Sequence, residues 1–196
     1  MNGLLMSAIG FALVATISPG GATTLATASG AQYGLRRSLA LLAGIAAGLG
    51  ALVGSVAGGL GSAVLAWPTM QLWLRLAGSA YLLWLAWTIF RTGEPNATTS
   101  SAPAGFVAGF LLLWLNPKGW TMALAAAAAY ADLADNPVTL GLILCLVFGI
   151  AAMNSLILWC VAGSWLARML TRPWQWRHLN RVLGLLLGLS VVPMWL

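Results

Sequence analysis

The sequence is short of charge, and shortest of acid. It has three Asp and Glu, nine Lys and Arg and one His, so charged side chains make up only 6% of 196 residues. A soluble domain carries roughly a quarter. So few charges cannot cover a water-facing surface, and the 61% hydrophobic chain reads as an all-α integral membrane protein. The three acids, Glu94, Asp132 and Asp135, all fall between apolar runs. No carboxylate is left inside such a run to bind a hard cation. The net charge of +6 comes without any basic face or motif of a nucleic-acid binder, so no nucleic-acid partner is expected.

Cysteine and histidine are scarce too. Cys145 and Cys160 lie on one apolar run, about 22 Å apart as a helix, too far for a disulfide. That argues against a thiol–electron carrier, the more so because such chemistry needs two adjacent thiols. The lone histidine, His178, sits at a predicted membrane edge, at a different depth from Ser18 and Ser155. Activated-serine hydrolysis needs a base beside its nucleophile. No catalytic residue, metal site or cofactor is expected, and the protein is not expected to be an enzyme. Met1–Leu13 also lacks the basic flank of a secretory signal, so the first run reads as a retained helix.

What the chain has is long apolar runs. Six are near the roughly 20 residues that span a bilayer as a helix: Leu4–Ser29, Ser38–Ser62, Leu72–Phe90, Gly105–Tyr130, Val138–Leu166 and Leu179–Leu196. None alternates as a barrel strand does. The connecting segments alternate in charge. Arg36, Arg37, Arg91, Arg168, Arg172, Arg177 and Arg181 belong to loops one, three and five, whereas loops two and four hold no Lys or Arg. Cytoplasmic loops attract basic residues, which places both termini outside. Trp67, Trp73, Trp87, Trp165, Trp174, Trp176 and Trp195 fall near span ends, as in an interfacial belt.

The chain also resembles itself. Gly10-Phe11 precedes Ser18-Pro19-Gly20-Gly21, and Gly105-Phe106 precedes Asn116-Pro117-Lys118-Gly119; Arg75-x-x-Gly78 and Arg181-x-x-Gly184 open the third and sixth runs. Two three-span copies cross a membrane in opposite senses, the inverted-repeat plan of many secondary transporters. The expectation is one transporter domain over residues 1–196, with repeats 1–92 and 105–196 joined by a Pro/Ser/Thr-rich linker, 93–104. Asn96-Ala97-Thr98 matches a glycosylation sequon in that linker and is taken as chance.

Proline lacks an N–H and clashes with the carbonyl four residues back. Pro19 should free the carbonyl of Ala15, and Pro117 that of Leu113. Freed backbone inside a membrane must find a partner or line a polar cavity. A broken helix offers carbonyls to an ammonium and a half-helix N-terminus to a carboxylate. A zwitterion needs both. Lys118, the only lysine, adds a positive charge whose insertion costs about 2.5–3.5 kcal/mol at a helix centre. Ser18, Pro19, Gly20, Asn116, Pro117 and Lys118 are therefore the expected substrate-binding residues, with Asn154 joining from the fifth run. Gly44, Gly48, Gly54, Gly58 and Gly78 are expected to let helices pack closely or slide.

These motifs resemble those of the LysE/RhtB family of bacterial amino-acid exporters. The first-span Ser-Pro-Gly-Pro of that family reads Ser18-Pro19-Gly20-Gly21 here, with glycine for the last proline. Its second-span glycines correspond to Gly44 and Gly48, its Gly-x-x-Tyr-Leu to Gly78–Leu82, and its Leu-Asn-Pro-Lys to Leu115–Lys118. The resemblance implies a multi-pass protein of the bacterial inner membrane that exports amino acids or their derivatives on the proton gradient. Where some members carry an acid near the second-span glycines, this chain has Leu49-Gly50-Ala51, which favours a neutral substrate. The expected partners are that small molecule and the lipid bilayer; the glycine-rich span also admits a homo-oligomer. The competing readings are a metal-ion exporter of a related fold and the thiol–electron carrier.

Overall fold

The structure, a computed structural model, describes residues 2–66, 68–93, 104–192 and 195. The expected linker and its sequon lie almost wholly outside these residues. Every regular element among them is helical: α1 (Asn2–Ile17), α2 (Gly21–Ser55), a π-turn (Val56–Leu60), α3 (Gly61–Ala66), α4 (Pro68–Arg91), α5 (Phe106–Trp114), α6 (Pro117–Ala129), a 3-10 turn (Ala131–Leu133), α7 (Pro137–Met169) and α8 (Pro173–Leu189).

α2 is two helices. Gly34 has φ 73 and ψ 168, a region that glycine enters without steric penalty. Ser29 Oγ and Ser38 Oγ lie 2.7 Å apart in a buried hydrogen bond. Nine residues of straight helix would separate them by about 13 Å, so the chain reverses at Gly34. The expected loop between Ser29 and Ser38 shrinks to one glycine, with Arg36 and Arg37 already helical and exposed. A second positive φ, 119 at Gly59, ends the returning helix.

Residues 137–169 form one helix long and apolar enough to cross a membrane, and residues 21–60, also apolar, double back at Gly34. They form the centre of the fold, and glycine sets how closely they meet. A Cβ on Gly30 would strike the backbone of Cys160, and one on Gly163 the backbone of Thr27. Farther along, Gly54 meets Gly141 and Cys145, while Gly44 and Gly48 press on the backbones of Phe106 and Phe110 in α5. Gly78 is buried in α4. Gly58 differs from the expectation, because it is exposed and a Cβ there would meet nothing within 4 Å, although its backbone N still lies against Gly141.

Two further expectations shift. The sequence puts the sixth run at Leu179–Leu196, but α8 begins at Pro173. Its basic residues do not end the helix, because they occupy an exposed face. Trp176, Asn180, Leu183, Gly184 and Leu187 form the buried stripe, at the spacing of an amphipathic helix. On α7, Leu142, Leu146, Ile150, Leu158 and Trp165 are each at least 60% exposed. So long an outward apolar stripe belongs against lipid rather than water. Asn154 sits on that stripe, exposed, its Nδ2 donating to Ile150 O of its own helix at 2.8 Å.

Candidate functional site

The two proline motifs break the two helices where the sequence places them. α1 stops at Ile17 and helix resumes at Gly21, with Gly20 fully extended (φ 178, ψ −173). α5 stops at Trp114 and α6 starts at Pro117, with Asn116 extended between them (φ −99, ψ 113).

A helix end leaves its last carbonyls without intrahelical partners, and in α1 side chains take them up one by one. Ser18 Oγ donates to Ala15 O at 2.8 Å. Ser155 Oγ of α7 donates to Thr16 O at 2.8 Å. Trp159 Nε1, also of α7, donates to Ile17 O at 3.1 Å. Lys118 Nζ reaches across from α6 and donates to Ser18 Oγ at 2.8 Å, Ser18 O at 3.3 Å and Pro19 O at 3.3 Å. An ammonium has three N–H donors, so three acceptors occupy them all. The positive charge also lies at the negative end of the α1 dipole.

The other side of the break presents donors. The first N–H groups of a helix have no partner within it. Gly20 N is taken by Thr23 Oγ1 at 2.8 Å, while Gly21 and Ala22 line a cavity. Asn116 is 6% exposed. Its Oδ1 caps α6 by accepting from Lys118 N at 3.0 Å. Its Nδ2 lies 3.5 Å from where a Cβ on Gly21 would stand, an ordinary contact, so the two breaks adjoin. Gly20 makes room for Lys118, whose Nζ would lie 3.1 Å from a Cβ there.

The cavity between the breaks is about 40 Å³, with Ser18, Gly20, Asn116 and Lys118 among its lining residues. That is room for a few waters. The structure thus brings together the polar members of both motifs. It leaves out Asn154, which belongs to the outward face of α7; the neighbouring Ser155 points inward instead, 4% exposed. Sequence reasoning names Asn154 rather than Ser155 and misses Thr23 and Trp159. The signal for Ser155 was its place among the small residues Ala151, Ala152 and Gly163, which recur along the buried side of α7. No such signal marks Trp159, because an indole inside an apolar run reads equally well as hydrophobic packing.

Cys145 and Cys160 are both free. They pack against Gly54 and Gly30 at separate points of the α2–α7 contact.

Comparison with known proteins gives a consistent picture. A cysteine/O-acetylserine efflux protein of Klebsiella pneumoniae is 31% identical over 185 residues, 94% of this chain and 93% of that protein. Proteins of the same description from Shigella flexneri and Salmonella typhimurium are 29% and 25% identical, each over at least 95% of both chains. No solved structure matches. The family model described as LysE type translocator matches residues 13–192, and with nearly its whole length so matched, this chain belongs to the LysE family of membrane translocators.

Proposed function

We propose that the protein is a secondary-active exporter of a small neutral amino acid, of the cysteine or O-acetylserine kind that its relatives are named for, in the bacterial inner membrane. In this reading the chain crosses six times with both termini outside: α1 with 21–33, then 35–60, α4, α5 with α6, α7 and α8. Residues 1–92 and 105–196 form two inverted repeats that rock around the paired breaks.

The observation that carries the reading is the position of the Lys118 ammonium on Ser18 Oγ, Ser18 O and Pro19 O. These acceptors suit an ammonium, and here the protein supplies its own. The cavity is too small for an amino acid while Lys118 stays there. A zwitterion resolves this by exchange. Its ammonium takes the carbonyls, and its carboxylate takes Lys118 together with the N–H groups that open the 21–33 helix. No charge is left unpaired at any point of the swap. A simple amine would leave Lys118 without a partner, and a simple acid would draw Lys118 away and leave the carbonyls bare; a buried polar group without a partner costs about 1–3 kcal/mol. Selection for zwitterions follows from that pairing. The uncharged walls contributed by Ile45, Leu49 and Met122 offer no counter-ion for a cationic side chain, which favours a neutral one.

The test is counterflow and efflux from proteoliposomes across an amino-acid panel, with and without a pH gradient. Small neutral amino acids should be carried, and amines and carboxylic acids lacking the second group should not. Equal transport of simple amines would overturn the exchange.

A further inference from the structure

The loops that the charge rule puts in the cytoplasm hold seven arginines and no lysine. Either side chain satisfies a preference for positive charge there. They differ toward phosphate. Arginine offers a planar fork of N–H donors that grips two oxygens at once, whereas lysine acts as a point charge. Two of these arginines are set in one particular place, the seam between α4 and α8.

The two helices touch where α4 ends and α8 begins. A Cβ on Gly184 would lie 2.8 Å from both Ala86 O and Phe90 Cβ, so glycine lets the backbones meet. Just before it in α8, Arg181 sets its guanidinium carbon over the Phe90 ring, 5.9 Å from the centroid. Arg91, the last residue of α4, stands over Trp87 at 4.5 Å. The Trp87 and Phe90 rings are 6.0 Å apart and nearly parallel, at 2°. The result is a row across the seam: guanidinium, indole, phenyl, guanidinium. A ring face attracts the cation but accepts few of its N–H groups. Neither guanidinium donates a hydrogen bond to any other described residue, and both arginines are exposed. Five donors on each are left for an outside acceptor.

The surroundings say which acceptor. Arg177, exposed one turn before Arg181, adds a third positive charge. Asp132 and Asp135 precede α7, whereas α8 follows it; a helix of 33 residues keeps them about 50 Å away. Glu94 lies outside the described residues, and one carboxylate would still leave the three arginines in surplus. Farther along α8 the outward face turns apolar, with Val182, Leu185, Leu186 and Leu189 each at least 50% exposed. Trp87 and Trp174 are exposed near the change from charge to hydrocarbon, as tryptophans at headgroup level are. Basic sites between membrane helices hold anionic headgroups. We propose that the α4–α8 seam binds an anionic phospholipid, its phosphodiester held between Arg91 and Arg181 with Arg177 beside it, and an acyl chain running down Val182, Leu185 and Leu189. The inference rests on the chain spanning a membrane and not on what it exports.

Thermal unfolding of the purified full chain in a neutral detergent, titrated with phosphatidylglycerol, reads the site. The midpoint should rise saturably with phosphatidylglycerol and not with phosphatidylcholine. One basic residue near anionic lipid is worth about fivefold in affinity, so Arg91→Gln with Arg181→Gln should weaken apparent binding about 25-fold. Arg36→Gln with Arg168→Gln removes the same charge from exposed positions on other helices and should leave binding unchanged. Arg91→Lys with Arg181→Lys keeps the charge, loses the fork and should weaken binding several-fold; it serves if the glutamine pair fails to accumulate. Wild-type affinity in either Arg91/Arg181 pair overturns the site. So does an equal loss in the Arg36/Arg168 pair, which would show diffuse attraction to the basic end. Equal stabilisation by phosphatidylcholine, or saturation by sn-glycerol 3-phosphate at the same concentrations, overturns the anionic lipid as its occupant. None of these results bears on efflux, so the exporter reading stands or falls separately.

Discussion

The two breaks look alike in sequence and differ in how they are held. The break at Asn116 is closed by its own neighbours. Asn116 N donates to Leu113 O at 3.3 Å, Gly119 N to Asn116 O at 2.9 Å, and Trp120 Nε1 to Trp114 O at 2.8 Å. The break at Pro19 takes its partners from farther away: Ser155 and Trp159 from α7 and Lys118 from α6, more than 98 residues along the chain. The first break therefore registers where α6 and α7 stand, and the second does not depend on the first in the same way. On the exporter reading proposed above, this comparison makes the Asn116 break the fixed side and the Pro19 break the responsive one.

The largest effect that follows concerns the one side chain that joins them. Lys118→Ala should reduce efflux at least about tenfold, as expected on removing a charge-assisted hydrogen bond worth about 1.5–3 kcal/mol, with normal amounts of inserted protein. Quantitative immunoblotting of membranes alongside the transport assay checks both halves. Next comes Ser155→Ala, which unties Thr16 O from α7. It should slow transport several-fold, in line with about 1 kcal/mol for a neutral hydrogen bond, with the maximal rate falling more than affinity. Trp120→Phe removes a bond local to the fixed break. It should lower thermal stability in detergent by a comparable ~1 kcal/mol and leave transport rates nearly unchanged; a transport defect as large as that of Ser155→Ala would erase the distinction between the two breaks. Asn154→Leu should do least, since it replaces a lipid-facing amide bonded to its own helix. A marked loss of efflux there would return Asn154 to the transport path.

The sequence made the helical character, both break points and the pairing of Ser18, Asn116 and Lys118 legible, because proline and a lone lysine in hydrocarbon are strong local signals. It did not show that Lys118 would cover the carbonyls of the first break, because contacts between residues 18 and 118 depend on packing, not on spacing. It chose Asn154 over Ser155 because adjacent residues on a helix point about 100° apart, and polarity alone does not say which faces inward. It placed α8 too late, because arginines on the outer face of an amphipathic helix look like a loop when read as a run.

The most direct test of the central claim is cross-linking of Ser18→Cys with Lys118→Cys, in a chain whose Cys145 and Cys160 are replaced by serine, using a short thiol-reactive linker in native membranes. The meeting of the two breaks predicts rapid intramolecular linkage in the substrate-free protein. Failure to link, while a Ser29→Cys/Ser38→Cys control pair links readily, would contradict it.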